Sequence, residues 1–216
     1  EYEYQSGVTS FCPTSMTLPE ERLADIYATV PMLLRGMGSA GRGESATEGA
    51  GAKVASSMAR IVGIHMEGPF LSVEKCGAQN PDCIVSADYE MFCRLNEACG
   101  GRIRIVTLAP ERPGGMEFMR RAAGKVRISL GHSAASYEEA KDAFDGGADH
   151  VTHLFNAMNS YHHRNPGILG AAAEREDVFV ELISDGMHVH PAAIRNVFQL
   201  FGDGRVVLIS DSTESC

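Results

Sequence analysis

A parallel β/α barrel is the architecture expected of these 216 residues, on two grounds. First, four short stretches place an ionisable side chain at the far end of a hydrophobic β-run: Ile-His-Met-Glu at 64–67, Ser-Leu-Gly-His at 129–132, Val-Thr-His-Leu at 151–154 and Leu-Ile-Ser-Asp at 208–211. One His or Asp at a strand end is common. Four delivered in order by successive strands require a fold that aims its strand ends at one place, as a parallel barrel does. Second, seven runs rich in Val, Ile or Thr alternate with helical segments, at 7–12, 60–66, 102–109, 126–131, 150–154, 178–183 and 205–210. From residue 102 onward the strand starts lie about 25 residues apart, the length of one short β/α unit.

The elements follow in order along the chain. Residues 1–10 read as the end of a helix, a glycine stop at Gly7 and the start of a strand, an abrupt beginning for a domain. Thr17-Leu-Pro-Glu20 has the form of a capping box ahead of an amphipathic stretch to Leu34, and Ser136-Tyr-Glu-Glu139 repeats that form ahead of Ala140–Phe144. Between Gly36 and Ala52, Gly, Ala and Ser dominate, so a mobile loop without a chemical role is expected there. His190-Pro191 opens a helix whose Ile194, Val197, Phe198 and Phe201 form one apolar stripe, the mark of core packing.

Bulk composition narrows the functional classes. With 44% hydrophobic residues the chain can bury a real core, and one α/β domain is the expected count. A formal net charge of -9 argues against nucleic acid or an anionic membrane as partner. The six cysteines contain no C-x-x-C pair, which leaves neither a zinc knuckle nor a thioredoxin-type motif and fits a reduced, cytoplasmic chain. No signal peptide opens the sequence, and no apolar run approaches the roughly 20 residues of a membrane span.

Strand parity carries the chemical argument, because alternate residues face opposite sides of a strand. Gly63, His65 and Glu67 share a face; so do Ile128, Leu130 and His132, and so do Val207, Ile209 and Asp211. Each row is expected to point into the barrel. His65 lies one layer deeper than Glu67 and is expected as a buried, hydrogen-bonded interior residue, with Glu181 in a polar layer inside the barrel. Taken singly, a Glu after a strand can be a loop cap, a Gly-His-Ser can be a helix start with a bystander imidazole, and Asp211 can be a cap. Jointly, two imidazoles and a carboxylate match the preference of Zn²⁺ and similar divalent ions. A further carboxylate on the last strand is then the natural base.

Several motifs also resemble the N-acetylglucosamine-6-phosphate deacetylase family of the amidohydrolase superfamily. They are His65-Met-Glu-Gly-Pro-Phe70, Leu108-Ala-Pro-Glu111, Gly131-His-Ser133, Thr152-His-Leu-Phe-Asn-Ala-Met158, Asp185-Gly-Met-His188 and Ile209-Ser-Asp211. The resemblance runs in order from about Gly7 to the last residue. It implies a (β/α)8-type TIM barrel of the metal-dependent hydrolase kind. It makes Glu67, His132 and His153 ligands of one divalent metal ion (Zn, or Fe, Mn or Co) and leaves a second metal open. Asp211 becomes the proton shuttle. Ala78 and Gln79 become contacts to the sugar and its acetamide, with Gln79 standing where many members have His. Asn156, Ala157 and Asp185 fall among the substrate contacts. Arg164 and His188 become the groups that receive a 6-phosphate, a task that suits the guanidinium fork.

The implied reaction is hydrolysis of the N-acetyl group of N-acetylglucosamine 6-phosphate, with Asp211 taking a proton from the attacking water and returning it to the departing amine. The partner is then a small phosphorylated amino sugar, in a homo-oligomer of two or more subunits. Two alternatives stay open: another amidase of the superfamily, and an inactive fragment that binds metal or sugar. The family's first barrel strand and its small β-sandwich have no counterpart here. The expected organisation is thus a partial barrel over residues 1–216, strands two to eight, and a truncated chain.

Overall fold

The computed structural model describes residues 2–5, 7–39 and 59–212. Its strands are β1 (Ser10–Phe11), β2 (Thr14–Ser15), β3 (Arg60–Ile61), β4 (Ile64–Glu67), β5 (Ile103–Leu108), β6 (Arg127–Leu130), β7 (His150–Val151), β8 (Phe179–Ile183) and β9 (Val206–Ile209). The helices are α1 (Tyr2–Gln5), α2 (Glu20–Ser39), α3 (Tyr89–Ala98), α4 (Gly115–Ala122), α5 (Tyr137–Asp145), α6 (Gly167–Ala173) and α7 (Pro191–Phe201). Seven strands form one parallel sheet in the order β2-β4-β5-β6-β7-β8-β9, and β1 pairs with β3 beside it. Strands that neighbour each other in chain order, each returning through a helix, are the arrangement of a partial β/α barrel. No helix among the described residues is long and apolar enough to cross a membrane.

Local sequence explains most of the helix starts. The Asp88 side chain accepts from the backbone of Glu90 and Met91 and opens α3, which buries Met91, Phe92 and Leu95. The Ser136–Glu139 capping box forms as expected ahead of α5. Pro191 sits at the start of α7, and its stripe buries Val197 and Phe201.

Two expectations near α2 need correction. Thr17 is not its cap: the helix starts at Glu20, Leu23 donates to the Pro19 carbonyl, and the Thr17 amide is committed elsewhere. Helix α2 also runs on to Ser39, four residues into the segment expected to be a loop; the rest of that segment lies outside the described residues. An established helix adds one hydrogen bond for each residue it fixes, and this carries it past Gly36 and Gly38 despite their poor propensity.

The sheet separates two chemically distinct layers. Met66, Val106, Leu108, Ile128, Leu130, Val151, Val180 and Leu182 join the apolar core shared with Phe92, Leu95 and Phe118 of the helices. Phe118 sits 5.5 Å from Phe70 and 5.6 Å from Phe92, ring centre to ring centre. Many of the intervening residues, on the strands and just beyond them, are polar and buried. There His65 Nε2 lies 2.6 Å from Thr107 Oγ1, Thr107 lies 2.6 Å from Thr152, and Thr152 lies 2.6 Å from Ser129. His150 and Glu181 pair at 3.1 Å in the same buried interior. His65 and Glu181 thus occupy the interior positions expected of them. Ile128 and Leu130 do not: Ser129 takes the inner face of β6, and its apolar neighbours pack outward against the helices.

Candidate metal centre

The strand ends on the concave side bring three predicted ligands together. Glu67 Oε1 is 2.8 Å from His132 Nε2 and 3.5 Å from His153 Nε2, and the two Nε2 atoms are 3.1 Å apart. All three side chains are buried. Glu67 arrives by plain strand alternation, two residues beyond His65. Neither histidine does. An extended chain would send His132 outward with Leu130 and His153 outward with Val151. Both residues instead adopt left-handed backbone, φ 48° and 31°, just after β6 and β7, and this swings each imidazole inward. Such backbone costs of order 1–3 kcal/mol for a non-glycine residue and concentrates at functional sites.

Hydrogen bonds fix the histidine tautomer and hold the carboxylate. Lys75 O can only accept, so in the 2.8 Å contact His132 Nδ1 is the donor, and Nε2 is the ring atom that faces Glu67. Gln79 Nε2 donates to Glu67 Oε1 at 3.2 Å. Burial alone would raise the Glu67 pKa, but its hydrogen bonds to His132 and His153 outweigh that and hold the carboxyl well below the usual range. For His153, burial opposes the charge, yet the hydrogen bond and field of Glu67, with Asp211 adding its own charge, raise the pKa.

A divalent ion fits this donor set. Two imidazole nitrogens and a carboxylate oxygen this close need a proton or a metal ion among them, since their lone pairs otherwise repel. Their separations are close to the edge of about 3.3 Å expected for a tetrahedron with metal–ligand bonds of about 2.0–2.1 Å. Glu67, His132 and His153 are the residues that would hold it.

The other predicted residues are placed less uniformly. Gln79 is buried against Glu67, whereas Ala78 is exposed. Asp211 is exposed with φ 49°, near enough for its charge to act on His153. Asn156 Nδ2 donates to the carbonyls of His153 and Leu154, both at 3.3 Å, while Ala157 O accepts from Ser133 N. The last of these bonds pins the loop after His153 to the loop after His132. Arg164, Asp185 and His188 are exposed, and none bonds to the triad among the described residues. Asp185 Oδ2 meets His188 Nδ1 at 2.7 Å, and that bond with two backbone donors lowers its pKa to about 2.

Two supports escaped sequence reasoning. Glu111 accepts from Ser133 Oγ and Ala134 N, both at 2.7 Å, clamping the loop that follows His132. The Thr17 amide donates to Gln79 Oε1 at 2.6 Å. Glu111 stood in the Leu108-Ala-Pro-Glu111 motif and Gln79 among the implied substrate contacts, but nothing in the sequence joined either to its partner here.

Comparison with known proteins agrees with this geometry. The amidohydrolase family profile matches residues 4–215. The chain is 43% identical over 155 residues to an N-acetylglucosamine-6-phosphate deacetylase of Bacillus subtilis, covering 71% of this chain and 39% of that protein. It is 32% identical over 215 residues to an N-acetylgalactosamine-6-phosphate deacetylase of Escherichia coli O157:H7, covering 99% of this chain and 52% of that one. The crystal structure of N-acetyl-D-glucosamine-6-phosphate deacetylase from Mycobacterium smegmatis superposes with a TM-score of 0.81 at 33% identity, over 95% of this chain and 49% of that one. The chain thus spans about half the length of the relatives it matches.

Proposed function

This chain belongs to the amidohydrolase family, and on that footing we propose that it carries the metal-binding strand ends of a deacetylase. The substrate would be N-acetylglucosamine 6-phosphate, and the products acetate and glucosamine 6-phosphate. The supporting observation is the convergence of Glu67, His132 and His153 in one buried cluster at the ends of parallel strands. Relatives bearing the deacetylase name favour this substrate over other amides.

A divalent ion held by the triad would supply Lewis acidity, lowering the pKa of a water towards about 7 and stabilising charge on the acetyl oxygen. The chain's own residues do the rest. Asp211, exposed beside His153, takes the proton from the attacking water and gives it to the nitrogen as the amide breaks, because an amide nitrogen leaves poorly as an anion. Asn156 and Ala157 present the loop beside His153 to the sugar. Arg164 and His188, both exposed, receive the phosphate, with Asp185 setting the His188 ring through its 2.7 Å bond.

The donor set accommodates Zn, Fe, Mn or Co. We read residues 1–216 as barrel strands two to eight of a catalytic domain. The expectation of a cytoplasmic location rests on the cysteine pattern, and that of a homo-oligomer on the family resemblance.

The test is acetate release by the intact, metal-loaded protein from N-acetylglucosamine 6-phosphate, its galactosamine epimer and unphosphorylated N-acetylglucosamine. We expect the first to be turned over best and the unphosphorylated sugar worst. Equal turnover with and without phosphate removes Arg164 and His188 from recognition. Metal binding without acetate release from any of the three leaves a metal-binding module and overturns the deacetylase reading.

A further inference from the structure

Gln79 occupies a position that the family resemblance gives to substrate contact, yet its amide is engaged at both ends within the protein. The side chain is buried. Thr17 N can only donate, so the 2.6 Å contact fixes Oε1 towards Thr17 and turns the NH₂ group to Glu67 Oε1, 3.2 Å away. No flipped amide satisfies both neighbours, because it would set a carbonyl oxygen against a carboxylate and an NH₂ against an N–H.

The surroundings are built for this contact. Thr17 is itself buried, and a Cβ on Gly68 would fall 2.1 Å from Thr17 Oγ1, so the glycine after Glu67 is what admits Thr17 to this place. The segment that carries Gln79 also grips His132. Ser72 N donates to His132 O at 2.9 Å, and Lys75 O accepts from His132 Nδ1 at 2.8 Å. Residues 72–79 therefore hold two of the three ligands, one through its ring and the other through its carboxylate.

We propose that Gln79 is a positioning residue of the metal centre, an amide strut anchored on the Thr17 backbone that holds Glu67 Oε1 in its ligating orientation. The proposal builds on the metal-centre part of the function given above. A carboxylate ligand without such a partner has more rotamers to surrender when it binds the ion, and loss of an outer partner of this kind typically weakens metal affinity about 10- to 100-fold.

Gln79→Met and Gln79→Ala both delete the donor to Glu67, but only the alanine leaves a void. The measurement is Zn²⁺ affinity of the intact protein by competition with a chromophoric chelator, beside the melting temperature of the metal-free form and KM for the sugar phosphate. Both variants should bind Zn²⁺ about 10- to 100-fold more weakly than wild type, to a similar degree, with the metal-free melt of the methionine variant close to wild type. Wild-type Zn²⁺ affinity with only KM raised overturns the proposal in favour of a substrate contact. Weak binding in the alanine variant with normal binding in the methionine variant overturns it in favour of packing. A wild-type protein that binds Zn²⁺ but releases no acetate refutes the deacetylase reading and leaves the Gln79 comparison decisive. One that binds no Zn²⁺ refutes the metal centre and the strut together.

Discussion

Asp211 and His132 carry the same kind of backbone feature, a left-handed φ immediately beyond a strand, and differ in what the sequence reveals of them. Parity places Asp211 on the inner row with Val207 and Ile209, the row opposite Glu181 in the register of β8 and β9. Parity fails for His132, which would point at the helices if β6 simply continued; its place is legible only from the Gly131-His-Ser133 motif. Gln79 illustrates a harder case. Its partner Thr17 is 62 residues away, and nothing local to either residue announces the contact. At this scale we expect Asp211→Asn to retain Zn²⁺ affinity and lose about 10²- to 10⁴-fold in kcat, the usual worth of a positioned acid or base. Steady-state kinetics beside the chelator competition would decide it, and near-normal turnover would remove Asp211 from the chemistry.

Loops following the strands do more for the site than the strands themselves. The loops after β6 and β7 are tied to each other through Ser133 and Ala157, and the first is clamped by Glu111. Gly131 shows why the turn after β6 tolerates so little. A Cβ there would lie 2.8 Å from Thr107 Cγ2 and 2.9 Å from Thr152 Cβ, inside the hydrogen-bonded polar layer. Gly131→Ala should therefore destabilise the fold by about 1–3 kcal/mol, the typical cost of overpacking a close-packed interior. Chemical denaturation of the two forms would measure this, and an unchanged midpoint and slope would show that the layer yields freely. Strand and helix existence was largely legible, since periodicity and caps such as Asp88 and Ser136 are local signals. The false capping box at Thr17 shows the limit of such signals. A sequence that fits a cap can be recruited by a long-range partner, and the tertiary contact wins.

At the scale of the whole molecule, three buried ligands, one at the end of β4 and two just beyond β6 and β7, link metal binding to the folded state. An unfolded chain cannot hold Glu67, His132 and His153 within a few ångströms of one another, so Zn²⁺ should bind the native form preferentially. At a free ion concentration of 100 times its Kd the linkage is worth about 2.7 kcal/mol, a rise of about 5–10 °C in Tm for a chain of this size. Calorimetric scans with Zn²⁺ and with a chelator would test it, and identical melts would argue against a preformed site. The alternation of strands with helices and the membership of the triad were legible in the sequence alone, because hydrophobic periodicity and the motifs at strand ends are written locally; the two-residue strand β2 that begins the seven-stranded sheet was not. The inward swing of both histidines, the polar layer beneath them and the Thr17–Gln79–Glu67 chain were decided only by the tertiary structure. Each depends on which face of the sheet meets the helices and on which distant backbone donor arrives to satisfy a buried amide.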